Sequence, residues 1–525
     1  MAFTLPTRLF PIGIQNFEQL RTLNCLYVDK TDLVYRMVHE GWIYFLSRPR
    51  RFGKSLLLST LEAYFEGKKH LFEGLAIEKL EQDWTVYPVL HISFARTRYD
   101  ALFNLEELLD DQLSEWEAEY GCPLHEKGTF GKRFERVIRQ AYEKTGKPVV
   151  ILIDEYDSPM LDSSGEKDKE LQKALRDVTR GFFSPLKDNV KFIRFLFITG
   201  ITKFSQMSIF SELNNLENIS MTPAYGNICG ITESELFTVF KPDIEELADF
   251  NEETYEEACA HLKRRYDGYH FNHRSEDIYN PFSIINVLKS KEYGSYWYST
   301  GTPTFLIELL RSRNMELEGL EECECLPEAF DKSTEMLTDP IPVLYQSGYL
   351  TIKAFRNGLY TLGFPNEEVR YGFLRSLLPA VMAHSEIEND MSTIAMMRSL
   401  EKGDIEACMT RLRSFIASIP YEKKSDNESR FETIFYLFFT LMGQLVQTQV
   451  KTSAGRIDAV VTNADYVYVF ELKVDATPEE ALAQIDDKGY AIAYEAGHRK
   501  VVKVGVSYDK QTRGIAGWKV NIPNP

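Results

Sequence analysis

The segment SRPRRFGKS at residues 47–55 is the first part of this sequence whose residue types could do chemistry. It follows an apolar run and precedes a helical pattern, which is the strand–loop–helix context that a phosphate-binding loop requires. In such a loop, backbone N–H groups hold phosphate oxygens, the lysine reaches the terminal phosphates and the serine hydroxyl coordinates Mg²⁺. The sequence therefore predicts that Gly53, Lys54 and Ser55 bind a nucleoside triphosphate with Mg²⁺. Because Arg48 replaces the usual first glycine, a basic helix start after a glycine turn is the alternative.

Two acidic residues, Asp154 and Glu155, directly follow the apolar run at 149–153. Phosphoryl transfer depends on placement and charge neutralisation. We therefore expect Asp154 to hold Mg²⁺ through water and Glu155 to orient or deprotonate the attacking water; two solvated acids at a strand end are the alternative. The next apolar run ends in Thr199, and either this residue or Thr202 could sense the γ-phosphate.

A second candidate site lies in two apolar runs near the C-terminus, at 456–461 and 466–473, which TNAD at 462–465 joins as a hairpin. Strand side chains alternate between faces, so Glu471 and Lys473 share one face. An even loop pairs Val461 with Tyr466. Asp458 then lies opposite Val469 and diagonal to Glu471, on the same face.

Two carboxylates and an ammonium group therefore converge at Asp458, Glu471 and Lys473. This set suits metal-dependent phosphodiester cleavage, in which Asp458 and Glu471 hold one or two Mg²⁺ ions and Lys473 positions or activates the attacking water. A structural ion pair between Glu471 and Lys473 is the alternative. Glu428 has helical spacing with Phe431 and could join the metal ligands, but it could equally complete a capping box.

The elements that must position these residues follow from hydrophobic periodicity. Short apolar runs alternate with helical patterns over the first 200 or so residues, which predicts an α/β fold with a mainly parallel sheet covered on both faces. The expected strands are Trp42 to Leu46, Val89 to Phe94, Val149 to Ile153 and Ile193 to Ile198, and the expected helices are Ser55 to Phe65, Leu105 to Tyr120 and Phe130 to Lys144.

Composition changes twice along the chain and predicts three domains. Residues 1–232 form the nucleotide-binding core, 233–420 a helical lid and connecting region with proline punctuation, and 421–525 a third domain that begins with a polar run.

Charge and composition limit the function classes. The 525 residues include 78 acidic and 60 basic side chains, a formal charge of −18, so general attraction to a polyanion cannot be the main binding force. Seven cysteines without a spacing framework indicate reduced thiols, and the pair Cys323 and Cys325 is a poor metal site. No run reaches the ~18 apolar residues of a membrane span, and no signal peptide is recognisable. We expect a cytoplasmic protein with no membrane partner.

The first motifs occur together in a known family. YVDKT at 27–31, SRPRRFGKS at 47–55, LIDEYD at 152–157 and ITGITKFS at 198–205 resemble the AAA-ATPase-like family of bacterial ATP-binding proteins, with YDGYHF at 266–271 and YNPFS at 279–283 resembling the segment after its core. The resemblance implies a P-loop NTPase-like core with a helical lid that binds ATP and Mg²⁺. The family tolerates an Arg-Pro-Arg-Arg-Phe loop.

The C-terminal motifs, GRID at 455–458 followed by ELK at 471–473, resemble the PD-(D/E)xK nuclease superfamily, in the domain often fused to such ATPases. The resemblance covers about 425–505. It implies a restriction-endonuclease-like α/β domain with nucleic acid, DNA or RNA, as substrate. In that superfamily a helix glutamate, here Glu428, can join the metal ligands, and a helix glutamine, here Gln484 with Tyr490 nearby, often supports the lysine or substrate.

These constellations predict an ATP-regulated, magnesium-dependent nuclease. A switch or signalling ATPase whose C-terminal domain binds nucleic acid or protein without cleavage is the alternative, and a scaffold with neither site active is a third. ATPases of this class often assemble, so a homo-oligomer is possible. Arg48, Arg50 and Arg51 could contact the nucleotide, or that of a neighbouring subunit as arginine fingers. Arg499, Lys500 and Lys503 could bind phosphate backbone or form a solvated surface.

Overall fold

The structure is a computed structural model. It describes residues 9–123, 128–163, 169–202, 215–298, 320, 322–329, 340–381, 386–417, 446–452, 455–463, 465–495, 497–512 and 514–522. The chain divides into two compact units. The first contains Met1–Gly301 and Glu322–Val369, and the second contains Thr302–Glu321 and Arg370–Pro525. The predicted boundaries after 232 and 420 remain predictions.

The first unit is built on a parallel five-stranded sheet in the order β2-β3-β4-β1-β5. Its central strand segments are almost wholly apolar and buried, as expected for a parallel sheet with both faces covered. The strands are β1 (Ile43–Ser47), β2 (Val89–Ser93), β3 (Val149–Asp154), β4 (Ile193–Gly200) and β5 (Glu217–Asn218). The predicted α/β fold is therefore confirmed, and the strands differ from their predicted bounds by one or two residues.

Helices cover this sheet because one stripe of each is apolar. Phe134 and Phe182, for example, stack with ring centroids 4.6 Å apart between two of them. The helices are α1 (Phe17–Thr22), α2 (Thr31–Glu40), α3 (Lys54–Phe65), α4 (Ala76–Leu80), α5 (Leu102–Tyr120), α6 (Phe130–Thr145), α7 (Ser158–Asp162), α8 (Lys169–Phe183) and α9 (Pro185–Asp188).

Four further helices follow the sheet: α10 (Glu233–Val239), α11 (Lys241–Phe250), α12 (Tyr255–Tyr266) and α13 (Pro281–Ser290). Two short strands, β6 (Ile231–Thr232) and β7 (Ile278–Tyr279), pair antiparallel beside them. Leu236, Leu247, Leu262 and Ile284 belong to one buried cluster that joins these helices. This segment is therefore packed as part of the first compact unit.

The region from 233 to 420, predicted as a helical lid and connecting region, also contains strands that the sequence analysis did not predict. Strands β8 (Cys323–Cys325), β9 (Thr351–Arg356) and β10 (Leu359–Gly363) form an antiparallel sheet in the order β8-β10-β9. Asn357 and Gly358 both have positive φ and form the tight turn between β9 and β10, a hairpin signal that the sequence carried. Helix α14 (Pro340–Gln346) precedes this hairpin and α15 (Glu367–Val381) follows it.

The second unit contains a five-stranded sheet in the order β11-β12-β13-β14-β15, with only the central β13–β14 pair parallel. Its strands are β11 (Val446–Thr452), β12 (Gly455–Thr462), β13 (Tyr466–Val474), β14 (Lys500–Asp509) and β15 (Gly514–Asn521). Its helices are α16 (Glu386–Glu401), α17 (Ile405–Ala417), α18 (Pro478–Asp487) and α19 (Ile492–Glu495). Leu482 and Ile485 of α18 pack on Val467 and Val469.

The predicted hairpin exists, but its predicted register was wrong by two residues. Val461 pairs with Tyr468, and Thr462 with Val467. Asn463 stabilises the loop between them through its backbone N–H, which donates to the carbonyl of Tyr466. A shift of two residues keeps every side chain on its predicted face, because side chains alternate with a period of two. Among the described residues, no helix is long and apolar enough to span a membrane.

Candidate functional site

The predicted phosphate loop connects β1 to the N-terminus of α3, and two of its residues have left-handed backbone. Arg51 has φ of 66° and Gly53, the N-cap of α3, has φ of 94°. Lys54 is 4% exposed, and its Nζ donates to the carbonyl oxygens of Arg48 and Pro49, each at 3.1 Å. The ammonium group therefore lies against the loop backbone, held by neutral acceptors that an incoming phosphate could replace.

Three strand ends bring the predicted metal ligands together. Because β4 lies between β1 and β3, their carboxyl ends meet at one edge of the sheet. Asp154 is 4% exposed there and accepts hydrogen bonds from Ser55 Oγ at 2.6 Å and from Thr199 Oγ1 at 2.7 Å. These hard oxygen donors beside a lysine suit Mg²⁺, which prefers carboxylates, hydroxyls and phosphate oxygens. The residues present therefore fit a phosphate-bound Mg²⁺ ion.

Glu155 follows at the same edge, where the chain turns sharply. Its φ of 49° is left-handed, and a non-glycine residue seldom adopts this conformation without surrounding constraint. The Tyr156 N–H then donates to the Thr199 carbonyl at 3.1 Å, and Glu155 Oε2 accepts from Ser158 Oγ at 3.3 Å. Glu155 is partly exposed, so its carboxylate can meet a water molecule.

Asp157 was not among the predicted site residues, although it ends the LIDEYD motif. It is fully buried, and its Oδ2 accepts from the N–H groups of Ile201 and Thr202 and from Thr202 Oγ1, at 2.7–3.0 Å. Burial raises the pKa of this carboxyl group. Gly200 must lack a side chain, because a Cβ there would lie 2.8 Å from Asp157 Oδ1. Asp157 thus stabilises the turn after β4, and Thr202 is one of its hydrogen-bond donors.

Arg48, which the sequence allowed as a contact to a nucleotide, is buried in the structure. Its side chain is 1% exposed, and its guanidinium group donates to the carbonyls of Ser47 at 2.9 Å, Ser220 at 2.7 Å and Tyr225 at 3.0 Å. It also lies over the ring of Phe271, 4.1 Å from the centroid. Burial lowers its pKa to about 10. Backbone carbonyls therefore hold both terminal nitrogens of Arg48, which makes it a buried anchor of the loop.

A mainly apolar pocket adjoins the phosphate loop. Gly53 and Leu57 line one side, and Leu26, Ile231 and the stem of Lys30 line others. Lys30 is the charged residue among the described residues that line it, and its Nζ lies 2.5 Å from Glu235 Oε1. A mainly apolar lining with few polar groups is typical of a small-molecule site.

The C-terminal candidate site centres on Glu471, which is 2% exposed on β13. Gln484 Nε2 of α18 donates to Glu471 Oε1, and Lys473 Nζ lies 3.8 Å from the same oxygen. Val469, two residues earlier, packs on α18. Glu471, Lys473 and Gln484 therefore lie together on the helix-covered face, and strand periodicity had predicted the shared face of Glu471 and Lys473.

Asp458 lies on the neighbouring strand β12, and only its backbone position can be described. Ala459 pairs with Phe470, so the same register continued by one residue sets Asp458 opposite Glu471, rather than opposite Val469. Directly opposed residues in an antiparallel pair have Cα atoms about 4.5–5.5 Å apart. Glu428 lies outside the described residues. Within them, no group of three or more His, Cys, Asp or Glu side chains is arranged to hold a metal.

Two residues near this site have roles that the sequence did not reveal. Gly505 pairs with Glu471 across β13 and β14, and a Cβ there would collide with the Pro478 carbonyl and lie 2.8 Å from Leu482 N. Its missing side chain lets α18 approach the sheet. Lys503 is an ion-pair residue, with a side chain 14% exposed and Nζ 2.7 Å from Asp486 Oδ1. Within the basic cluster of Arg499, Lys500 and Lys503, Lys503 is therefore held in an ion pair, and the phosphate-binding role of the cluster stays a prediction.

Two family models match the chain. A model described as a predicted AAA-ATPase matches residues 11–210, and a model of the PD-(D/E)XK nuclease superfamily matches residues 426–518. The first match contains the phosphate loop, Asp154 and Thr199, and the second contains Asp458, Glu471 and Gln484.

One curated relative is similar over almost the whole chain. It is an uncharacterized protein in the vnfD 5′ region of Azotobacter chroococcum mcd 1, 37% identical over 97% of this chain and 98% of its own length. Among solved structures, the Orc1 protein of Aeropyrum pernix in complex with DNA matches with 11% identity over 67% of this chain and 93% of that chain, at a TM-score of 0.24. A similarity this low carries no argument.

Proposed function

Because the chain belongs to the AAA-ATPase-like family with a C-terminal domain of the PD-(D/E)XK nuclease superfamily, we propose that it binds and hydrolyses ATP and that nucleotide controls a metal-dependent nuclease. The observation that carries the first part is the hydrogen-bonded set Ser55–Asp154–Thr199 beside a buried Lys54. Three separate chain segments supply these groups, and they meet at the edge of a parallel sheet where ligands of such folds bind.

At the nucleotide site, Lys54 leaves the carbonyls of Arg48 and Pro49 and binds the terminal phosphates. A bound Mg²⁺ ion neutralises phosphate charge. Ser55 and Asp154 are the oxygen ligands available to it, directly or through water. Glu155, partly exposed at the same strand end, orients the attacking water and takes its proton. Thr199, bonded to Asp154, reports whether the γ-phosphate is present.

The pocket beside Gly53 is the site of the base. Its apolar lining is complementary to the flat face of a purine. Because the pocket lies next to the N-terminus of α3, this one helix can contact both the base and the phosphates. The YVDKT motif at 27–31 contributes Tyr27, Val28 and Lys30 to this lining. This placement accounts for a motif far from the phosphate loop in sequence.

At the C-terminal site, Glu471 and Asp458 are the carboxylates available to a divalent ion, and Lys473 lies beside Glu471. A bound ion would polarise the scissile phosphate. Lys473 holds or deprotonates the attacking water, and Gln484 orients Glu471 through its amide. Nucleic acid, DNA or RNA, is the substrate that a phosphodiesterase site of this superfamily implies.

ATP turnover tests the first part. Wild-type protein should hydrolyse ATP with Mg²⁺, and Lys54→Ala should lose binding measured by calorimetry with ATP. Lys69→Ala removes an exposed lysine from the same unit and should bind as wild type does. Equal ATP binding by wild type and Lys54→Ala would reject this site.

Cleavage of DNA and RNA substrates with Mg²⁺ or Mn²⁺, with and without ATP, tests the second part. Glu471→Ala and Lys473→Ala should abolish cleavage, whereas Glu479→Ala, which removes an exposed carboxylate at the start of α18, should not. Absence of cleavage in wild type, combined with nucleotide binding, would support a switch ATPase whose C-terminal domain binds without cutting. ATP-independent cleavage would reject control by nucleotide.

A further inference from the structure

The phosphate loop has an unusual composition for its conformation. Between Ser47 and Lys54 it contains a single glycine, yet Arg51 as well as Gly53 adopts positive φ. A left-handed non-glycine residue costs roughly 1–2 kcal/mol and persists only when neighbouring structure holds it. The loop must therefore be stabilised from outside.

Trp297 supplies one of these external contacts. Its side chain is buried, and its indole Nε1 donates to the Arg50 carbonyl at 2.9 Å, across 247 residues of sequence. A trans peptide is planar, so the N–H of Arg51 points opposite to the carbonyl of Arg50. By holding this carbonyl, the indole sets the direction of an N–H group in the centre of the phosphate loop.

Trp297 is itself held by a buried carboxylate. Its backbone N–H donates to Glu368 Oε1 at 2.7 Å, and Glu368 Oε2 accepts from Ser283 Oγ at 2.6 Å. Glu368 is 2% exposed and lies in the first turn of α15. Placing a carboxylate in such a site is costly unless it is well bonded, which indicates that this turn needs a defined position.

Other contacts hold the same loop besides the hydrogen bond from Trp297. Phe52 packs edge-on against Tyr269 and Phe271, with centroids 4.7 and 5.5 Å apart. Gly348 approaches Pro49 so closely that a Cβ would lie 2.7 Å from its ring. Loss of one hydrogen bond from Trp297 should therefore leave the loop folded but less well defined.

We propose that Trp297 is a positioning residue for triphosphate binding, and that Glu368 positions Trp297. This inference rests on the proposed nucleotide site and extends it to a segment with no motif of its own. The indole replaces, from outside the loop, the conformational control that glycines usually provide within it. Nucleotide affinity should therefore depend on Trp297, which is 247 positions from Arg50 in sequence, and on Glu368, which is farther still.

The test compares two tryptophan substitutions in the full chain. Trp297→Phe keeps a ring and removes the N–H that binds Arg50. Trp84→Phe is the matched control, because its buried Nε1 has no hydrogen-bond partner in the structure. We expect Trp297→Phe to raise the Kd for ATP about 3- to 10-fold, the loss expected for one hydrogen bond, and Trp84→Phe to leave Kd unchanged. Thermal melting of both variants separates loss of affinity from loss of folding.

Glu368 provides the second arm. Glu368→Gln retains an oxygen that can accept from the Trp297 N–H, so its Kd should stay within about 2-fold of wild type. Glu368→Ala removes both carboxylate oxygens, and it should raise the Kd for ATP at least as much as Trp297→Phe does. Equal Kd values for Trp297→Phe and Trp84→Phe, with ATP bound by wild type and lost in Lys54→Ala, would overturn this inference alone. Failure of wild type to bind ATP would overturn the proposed function and this inference together.

Discussion

Substitution of Arg48 by methionine tests whether this arginine of the phosphate loop stabilises the fold or takes part in catalysis. The guanidinium group donates to the carbonyls of Ser47, Ser220 and Tyr225 within 3.0 Å and lies over Phe271. A hydrogen bond to a charged group contributes about 1.5–3 kcal/mol, and a desolvated cation–π contact about 2 kcal/mol. Burial of the charge offsets several kcal/mol of this sum.

Methionine keeps the aliphatic stem but leaves the carbonyls of Ser47, Ser220, Tyr225 and Gly226 without the guanidinium donor. The net loss should be about 1–3 kcal/mol, the usual cost of leaving a buried hydrogen-bonding group without its partner. For a unit of this size the melting temperature should fall by roughly 2–10 °C. Differential scanning calorimetry with urea unfolding measures both quantities, and ATP binding measured below the melting transition should change little.

Arg50→Met is the matched control, because the Arg50 side chain is exposed. The melting temperature of this variant should differ from that of wild type by no more than about 1 °C. A structural role for Arg48 would be refuted if Arg48→Met had the same melting temperature as wild type but had lost ATP turnover. That result would assign Arg48 to the nucleotide, a role that the sequence left open.

Three further predictions concern stability. Gly505→Ala should destabilise the C-terminal unit by about 1–3 kcal/mol, because its Cβ collides with the Pro478 carbonyl; an unchanged melting temperature would contradict this. Burial raises the pKa of Asp267 from 3.8 to about 6, so its contribution makes the free energy of unfolding fall as pH rises from about 4 to about 6. Asp267→Asn should remove that pH dependence and raise the free energy of unfolding at pH 7, measured by urea titration, by about 2 kcal/mol. An unaltered pH profile of the free energy of unfolding would disprove this prediction. Tyr468→Phe should cost about 1 kcal/mol, because its hydroxyl donates to the buried Leu400 carbonyl at 2.6 Å; equal unfolding midpoints would count against this bond.

The candidate residues of both sites could be found from sequence because their signals are local. Lys54 and Ser55 open a helix after an apolar strand, and Asp154 ends one. Glu471 and Lys473 share a face because strand side chains alternate. The register of Asp458 was less accessible, since loop conformation decides whether Val461 pairs with Tyr466 or Tyr468, and both pairings keep the same face pattern.

By itself the sequence determined the parallel sheet, the phosphate loop and the face on which the C-terminal carboxylate and lysine lie. These properties depend on hydrophobic period and residue order, which act over a few residues. Only the tertiary structure decided that Arg48 is a buried anchor and that the indole of Trp297 binds the Arg50 carbonyl. The physical reason is that both side chains bind backbone carbonyls, which every residue has, so a sequence carries no sign of which distant carbonyl folding will bring to them.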